Sequence, residues 1–212
     1  MRFKNRLHAA ELLAEKLTLY QNKNPLVLGI PRGAMPIADY LQRKIGGDLD
    51  VVLVHKVGAP DHPEFAVGSV SEFGDIYRSP ALEDYQISQN YFDEIAKKEL
   101  QKLRVRREKY SPIHKPISPQ NRIVLLVDDG IATGATLLSA IRAIRLRNPK
   151  KIICVAPVVS ESAMSLIQRE ADEVVVLDQP KEFYSISQFY DDFNQVPDEE
   201  VIEILKAHSQ IR

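Results

Sequence analysis

Residues 123–136 read IVLLVDDGIATGAT and carry the strongest structural signal of the sequence. The aliphatic half of this stretch leads into two adjacent carboxylates, Asp128 and Asp129, and a loop of small residues follows them. An apolar-periodic segment then begins at Leu137. This order predicts a buried parallel strand, a ligand loop at its carboxyl end and a helix.

The same stretch carries the groups that could bind a ligand. Backbone N–H groups of the loop and of the first helical turn suit an anion. Gly134 allows close approach of a phosphate, and Thr133 and Thr136 add hydroxyl donors. Asp128 and Asp129 are acceptors for hydroxyls or for a divalent cation, so a phosphorylated sugar would fit. The alternative, a capped turn with two surface acids, leaves two adjacent acids after a buried strand unexplained.

Strand and helix patterns alternate on both sides of this stretch. Predicted strands occupy residues 25–30, 50–55, 122–127, 151–157 and 173–177. Predicted helices occupy about 7–20, 35–45, 89–109, 134–147, 161–170 and the tail from 198. The alternation predicts an α/β fold, with a mostly parallel twisted sheet and helices on both of its faces.

The length of 212 residues suits a single domain, 1–212, that buries a core. The alternation is interrupted at about 57–118, which we interpret as an insertion with a hairpin turning near Phe73 and Gly74, a long helix and a proline-rich loop at 111–120. The aromatic tail, about 179–212, is predicted to form a C-terminal hood or cap. Its aromatic side chains either stack on a ligand or make core contacts.

Composition narrows the class of function. A net charge of −1 argues against nucleic acid and acidic membranes as partners. No apolar run reaches the roughly 18 residues that cross a bilayer, so we expect a cytoplasmic protein. The only cysteine, Cys154, lies in a predicted buried strand and is interpreted as an inert core thiol.

The loop differs from two well-known phosphate-binding motifs. It has neither the Gly-Lys-Ser/Thr ending of a nucleoside-triphosphatase loop nor the Gly-x-Gly-x-x-Gly of dinucleotide-binding folds. It resembles the signature of the type I phosphoribosyltransferase family, and the likeness covers about residues 25–177. A closer likeness, to a bacterial subgroup of phosphoribosyltransferases with unassigned substrate, rests on residues 30–33, 55–60 and 191–193.

The resemblance implies a reaction and its cofactor. The family transfers the 5-phosphoribosyl group from phosphoribosyl pyrophosphate to a nitrogenous base or other nucleophile, with Mg²⁺, and releases pyrophosphate. By this resemblance Asp128 and Asp129 hold the ribose hydroxyls and lie near the metal, in direct or indirect contact. The 5′-phosphate would be held by Ala132, Thr133, Gly134, Ala135 and Thr136. A homodimer is a further expectation from the family.

A second loop and a lysine complete the expected site. The resemblance assigns pyrophosphate binding to Ile30, Pro31, Arg32 and Gly33, and catalytic roles to Arg32 and Lys56. A small-residue turn with one guanidinium suits a pyrophosphate. An ordinary turn with a solvated Arg32, and an exposed Lys56 at the end of the predicted strand 50–55, are the alternatives. Glu72 lies either near the site or merely at the hairpin turn.

Ala132 narrows the chemistry that the resemblance implies. In the 6-oxopurine branch of the family this position is an aspartate that handles a proton of the base, whereas the adenine and uracil branches also have alanine. A hypoxanthine- or guanine-type mechanism is therefore in doubt.

Two other functions remain open: a regulator that binds phosphoribosyl pyrophosphate or a nucleotide together with nucleic acid, through the basic stretch 97–109, and a metal-dependent phosphohydrolase. That stretch is otherwise a solvated helix face.

Overall fold

The structure is a computed structural model that describes residues 1–62, 65–79, 81–111 and 113–209. The helices are α1 Arg6–Lys16, α2 Met35–Ile45, α3 Ala81–Asp84, α4 Gln89–Tyr110, α5 Ala135–Arg145, α6 Glu161–Ile167 and α7 Asp198–Ser209. The strands are β1 Leu26–Gly29, β2 Asp48–Val51, β3 Val54–Gly58, β4 Ala66–Ser71, β5 Ile76–Arg78, β6 Ile123–Val127, β7 Lys151–Val158 and β8 Glu173–Asp178. Short 3₁₀ helices span Thr18–Tyr20 and Ile186–Phe189.

The main sheet has five strands in the order β2-β1-β6-β7-β8, and every neighbouring pair is parallel. This confirms the predicted α/β fold with a parallel sheet. The strand order reverses between β1 and β6, because the chain builds outward from β1 to β2 and then returns to the other side of β1. Such a topological switch point is where open parallel sheets bind ligands, beyond the carboxyl ends of their strands.

The sheet separates two apolar cores. Alternate residues of a strand point to opposite faces, so Val27 and Leu125 pack with α1, α2 and α7, whereas Val124 and Cys154 pack with α5 and α6. Burial raises the pKa of the Cys154 thiol far above its ordinary value, which keeps it protonated. The interpretation of Cys154 as a core thiol is confirmed. No helix in the described part of the chain is long and apolar enough to cross a membrane.

The predicted strand at 50–55 is wrong in one respect, because it is two strands in two sheets. β2 ends at Val51, and β3 begins at Val54 and pairs antiparallel with β4 in a separate three-stranded sheet, β3-β4-β5. An aliphatic run signals burial but not which sheet a residue joins. Lys56 consequently lies inside β3 and not at the carboxyl end of a parallel strand.

The segment predicted as an insertion contains most of the second sheet and α4. The predicted hairpin is confirmed as β4 and β5, and the predicted long helix is confirmed as α4. Ser88 caps this helix by accepting the backbone N–H of Tyr91 over 3.2 Å. Residues 111 and 113–120 form the predicted loop without regular structure, and Pro112 lies outside the described residues.

A buried ion network joins α4 to both sheets. Arg107 donates to both carboxylate oxygens of Asp50 over 3.0 and 2.9 Å, and its Nε lies 3.2 Å from the carboxylate of Glu72. The backbone N–H groups of Leu53 and Ile117 donate to Glu72 and Asp50 respectively. Glu72 therefore has a structural position at the hairpin turn, and α4 is fixed in orientation by one guanidinium between two acids.

Glu72 should make the stability of the fold depend on pH. Burial raises its pKa from 4.5 to about 7, against the opposing effects of Arg107 and of the hydrogen bond from Leu53. The folded protein thus holds this proton more tightly than the unfolded chain, and stability falls as the pH rises from 4.5 to about 7. We expect Glu72→Gln to lack this decline, and its free energy of unfolding to gain on the order of 3 kcal/mol relative to the original across that range. Urea unfolding at the two pH limits measures the gain, and a constant difference between the proteins would contradict it.

Candidate active site

Two loops meet where β1 and β6 lie side by side. They border an open cavity of about 360 Å³. The loop after β1 contributes residues 30–33, and the segment after β6 contributes residues 128–137. Ile186 of the tail also lines the cavity. The two loops that the sequence singled out therefore enclose one space at the topological switch point.

The two aspartates present unequal carboxylates to this cavity. Asp128 accepts the backbone N–H of Asp129 on Oδ1 over 2.9 Å. The Oδ2 of Asp129 accepts two hydrogen bonds from Arg6, from Nε over 3.0 Å and from Nη2 over 2.8 Å. Among the described residues, the second oxygen of each carboxylate has no hydrogen-bond donor. Two acceptor oxygens thus remain for a ligand that offers two hydroxyls.

Arg6 and Tyr190 support Asp129, and the sequence patterns did not identify either role. Arg6 lies at the start of α1, and its guanidinium carbon lies 4.0 Å from the ring centroid of Phe193. The hydroxyl of Tyr190 donates to the backbone carbonyl of Asp129 over 2.7 Å. These contacts join residues 123 and 61 positions apart, so no local pattern could have revealed them.

Burial and proximity make the paired acids hard to ionise. Burial raises the pKa of the Asp128 carboxyl well above its ordinary value, and the neighbouring charge of Asp129 raises it further. Burial also raises the pKa of Asp129, although the guanidinium of Arg6 acts in the opposite direction. A ligand that brings hydroxyl donors or positive charge would favour the ionised forms, so the pair is poised to bind one.

The loop after the aspartates has the features of an anion site. Gly134 has a φ of +75°, a left-handed conformation that favours glycine, and α5 begins at the next residue. The first turn of α5 leaves backbone N–H groups without intrahelical partners. Ser160, which caps α6, donates to the carbonyl of Ala132 over 2.5 Å and so holds the loop in place. Thr133 and Thr136 are exposed on the cavity side.

The loop after β1 comes very close to Asp129. The Pro31–Arg32 peptide bond is cis. A Cβ atom added to Gly33 would lie 2.0 Å from Oδ2 of Asp129. Arg32 is about one-third exposed, and its nearest acid is Asp198 at 3.9 Å. Only glycine at position 33 allows the loop and the carboxylate to share this space.

Substitution at Gly33 tests this close approach. Gly33→Ala must displace Asp129 and break its bond with Arg6, so we expect the affinity of the site for its ligand to fall by about 10-fold or more, the equivalent of one charge-assisted hydrogen bond. A suitable control is Gly74→Ala, where an added Cβ meets no atom but the φ of +88° disfavours alanine. The control should lose stability and keep its affinity. Equal ligand affinity in the two variants would contradict the assigned geometry.

Lys56, an expected site residue, and Glu72, for which a place near the site was one of two alternatives, both belong to the segment of the second sheet. Lys56 is not among the described residues that line the cavity. Its neighbour His55 pairs with Glu99 of α4 over 3.2 Å, so Lys56 lies on the other face of β3, which it shares with Val54. Glu72 belongs to the buried network with Arg107.

The aromatic tail contributes mainly to a third core. Phe189 and Tyr190 are buried with Phe3 of the N-terminus, and Tyr184 is exposed. Phe189 and Tyr190 therefore make core contacts, which was one of the two alternatives predicted for the aromatic side chains of the tail. Phe193 lines a cavity of about 390 Å³ beside Asp129, together with Arg6 and Arg32.

The fold and this site define the class of protein. The chain belongs to the phosphoribosyl transferase domain family, and the match covers residues 4–194. The resemblance drawn from the strand, the acid pair and the small-residue loop is thereby confirmed at the level of the family.

Individual relatives agree with this assignment. The crystal structure of TT1426 from Thermus thermophilus has 41% sequence identity and a TM-score of 0.91, and covers 98% of this chain and 99% of that one. Two Mycobacterium tuberculosis proteins, provisionally named phosphoribosyl transferases, are each 33% identical over 208 residues. The match covers 97% of this chain and 47% of theirs, so the chain spans about half the length of these curated relatives.

Proposed function

We propose that this protein transfers the 5-phosphoribosyl group from phosphoribosyl pyrophosphate to a nitrogenous base or another nucleophile, releasing pyrophosphate, with Mg²⁺ as cofactor. One observation carries the proposal: two loops suited to anions converge on a pair of acids at the topological switch point. A donor with a phosphate, a diol and a pyrophosphate matches those three features. Family membership supports the same activity. We propose that residues 1–212 form one domain, with an insertion at about 57–118.

The acids and the following loop would bind the phosphoribosyl part. The unpartnered oxygens of Asp128 and Asp129 accept the ribose hydroxyls in charge-assisted hydrogen bonds. Backbone N–H groups of residues 132–136, with the hydroxyls of Thr133 and Thr136, hold the 5′-phosphate. Arg6 orients the carboxylate of Asp129 and opposes the effect of burial on its pKa, and so prepares the site before the donor arrives.

The loop after β1 would bind the leaving group. Residues 30–33 surround the pyrophosphate, with the guanidinium of Arg32 against its oxygens. In the reaction the bond from C1 to the pyrophosphate oxygen breaks, its electron pair leaves with the pyrophosphate, and the lone pair of the nucleophile forms the new bond to C1. The transition state resembles an oxocarbenium ion, as in glycoside chemistry. Arg32 stabilises the charge that develops on the leaving group. The catalytic role expected for Lys56 stays a prediction.

The donor set of the site is compatible with Mg²⁺. Within the described residues, no group of three or more His, Cys, Asp or Glu side chains could hold a metal ion. Mg²⁺ commonly binds through one or two carboxylates together with substrate phosphates and water. Asp128 and Asp129 would supply the protein's share, directly or through water. The metal would neutralise the charge of the diphosphate.

The acceptor would enter between the cavity lined by Asp128 and Asp129 and the aromatic tail of the chain. We propose that the tail from about residue 179 is the hood of the site, because Ile186 contacts the site at Gly130 and Phe193 lies beside Asp129. Ala132 has no proton to exchange, so the acceptor must lose its proton to another group or to water. The homodimer and the cytoplasmic location stay predictions, and nucleic acid and membranes are not expected partners.

Pyrophosphate release tests the activity. The protein, Mg²⁺ and phosphoribosyl pyrophosphate are incubated with a panel of purines, pyrimidines, pyridines and amines. We expect pyrophosphate to appear with one acceptor class and to require both donor and acceptor. A phosphohydrolase would instead release orthophosphate from sugar phosphates without an acceptor. Donor binding without turnover across the whole panel would favour the regulator and contradict the transferase.

A further inference from the structure

A second concave space lies beside the candidate active site. This basic groove has a volume of about 730 Å³. Its lining consists of Pro31, Arg32, Gln101, Lys102, Val105, Arg106, Lys109 and Asp198. Pro31 and Arg32 also line the cavity of the paired acids, so the two spaces share one wall. We propose that the basic groove binds a small molecule with two or more linked phosphates, and that this ligand competes with the donor through Arg32.

One face of α4 supplies most of the positive charge. Lys102, Val105, Arg106 and Lys109 follow the i, i+3, i+4, i+7 spacing that places side chains on one side of a helix. The other cations of residues 97–109 do not line the groove. Arg107, for example, is buried against Asp50. Because the whole chain carries a net charge of −1, this concentration of cations is local. A solvated face of mixed charge does not describe it.

The acids near the groove neutralise it only in part. Asp198 lies 3.9 Å from Arg32, 3.9 Å from Arg106 and 3.5 Å from Lys109. Long, partly exposed pairs of this kind contribute little stability. Lys102 is paired with Glu99 over 2.7 Å. Glu199 and Glu200 follow Asp198 in the first turn of α7, are exposed and do not line the groove. Three cations therefore share one carboxylate.

The geometry favours a compact polyanion. Guanidinium groups bind phosphate oxygens in pairs of parallel hydrogen bonds, and two arginines and a lysine around one space suit linked phosphates. The volume lies within the roughly 300–1,000 Å³ of small-molecule sites. Val105, which is 48% exposed, offers an apolar contact for the rest of such a ligand. A nucleic acid would need cations spread along an extended surface, whereas these lie in one concave space.

Arg32 couples the two spaces. The competition rests on the proposed function, in which Arg32 binds the pyrophosphate of the donor. A ligand in the groove that engages Arg32 withdraws this guanidinium from the donor and adds negative charge beside it. Coupling of binding is reciprocal, so each ligand should weaken the other. Binding of linked phosphates in the basic groove does not itself depend on the proposed transferase reaction.

Calorimetric titration with inorganic triphosphate tests the binding. We expect Arg106→Ala with Lys109→Ala to weaken triphosphate binding by about 10-fold or more, because two charged contacts are lost. The matched control is Lys97→Ala with Arg104→Ala, which removes two exposed cations of the same helix that do not line the groove. Asp198→Asn should strengthen binding, since it removes the competing carboxylate. A variant that merely misfolds cannot strengthen binding.

Different results would contradict the anion site, the small-molecule ligand, the competition with the donor or the proposed function. Equal triphosphate affinity in the Arg106/Lys109 variant and the control overturns the groove as an anion site. Binding of a single-stranded RNA oligonucleotide, without binding of triphosphate, overturns the small-molecule ligand. If triphosphate leaves the donor affinity unchanged, the competition through Arg32 is wrong. Absence of donor binding in every protein, with triphosphate binding intact and dependent on Arg106 and Lys109, contradicts the proposed function and leaves the groove standing.

Discussion

Replacing both acids of the site, Asp128→Asn with Asp129→Asn, is expected to weaken Mg²⁺-dependent binding of phosphoribosyl pyrophosphate by at least about 100-fold. Under the proposed function, each carboxylate would lose a charge-assisted hydrogen bond to a ribose hydroxyl, worth roughly 1.5–3 kcal/mol. Asp128 and Asp129 are also the residues that would hold Mg²⁺ under the proposed function, so their neutralisation would weaken the metal-dependent part of binding. Calorimetric titration with the donor, in the presence and absence of Mg²⁺, measures the effect.

The fold should survive this double substitution. Both aspartates have raised pKa values because of burial, so neutral amides remove an unfavourable charge, although Arg6 then loses its ionic partner. The matched control is Glu199→Gln with Glu200→Gln, which neutralises two adjacent exposed acids of α7. The control should bind the donor like the original protein. Donor affinity that is unchanged in the Asp128/Asp129 variant would refute the assignment of the ribose site.

The largest effect on stability is expected at Arg107. Arg107→Met leaves Asp50 and Glu72 buried without their cation. Removing one partner of a buried ion pair costs about 3–5 kcal/mol, a large part of the roughly 5–15 kcal/mol that stabilises a typical domain. Urea unfolding should therefore show a strongly lowered midpoint. The loss should be smaller in acid, because Glu72, whose pKa is about 7, is then protonated.

A second arginine of the same helix provides the control. Arg104 is exposed on α4 and has no ion pair within the described part of the chain. Arg104→Met should change the free energy of unfolding by no more than about 0.5 kcal/mol. If the two variants unfolded at the same urea concentration, the ion network would have no role in holding α4 in place.

The sequence predicted the centre of the fold because its local signals agree. Between residues 123 and 136 an aliphatic strand, two acids and a glycine-containing loop follow one another, and each points to the same βα unit. The cavity lies where that unit and the loop after β1 meet. Parallel strands bring their carboxyl ends to one edge, so two loops distant in sequence could be placed together from the pattern alone.

The contacts that support the site could not be predicted from the sequence, because they join residues that no local pattern connects. Arg6 and Asp129 are 123 positions apart, and the periodic pattern that predicted α1 concerns only the apolar side chains of that helix. Likewise, the aliphatic run around Leu53 predicted one strand, whereas Val52 and Leu53 bridge two sheets and change the position of Lys56. Such features depend on tertiary contacts, which periodicity does not encode.

Binding of the donor to the unaltered protein is the most direct test of the proposed site. Calorimetric titration with phosphoribosyl pyrophosphate should show one site for each chain, and binding should require Mg²⁺. Ribose 5-phosphate should bind more weakly, because it lacks the pyrophosphate that residues 30–33 are proposed to hold. A protein that binds neither compound in the presence of Mg²⁺ would contradict the site built from Asp128, Asp129 and the two loops.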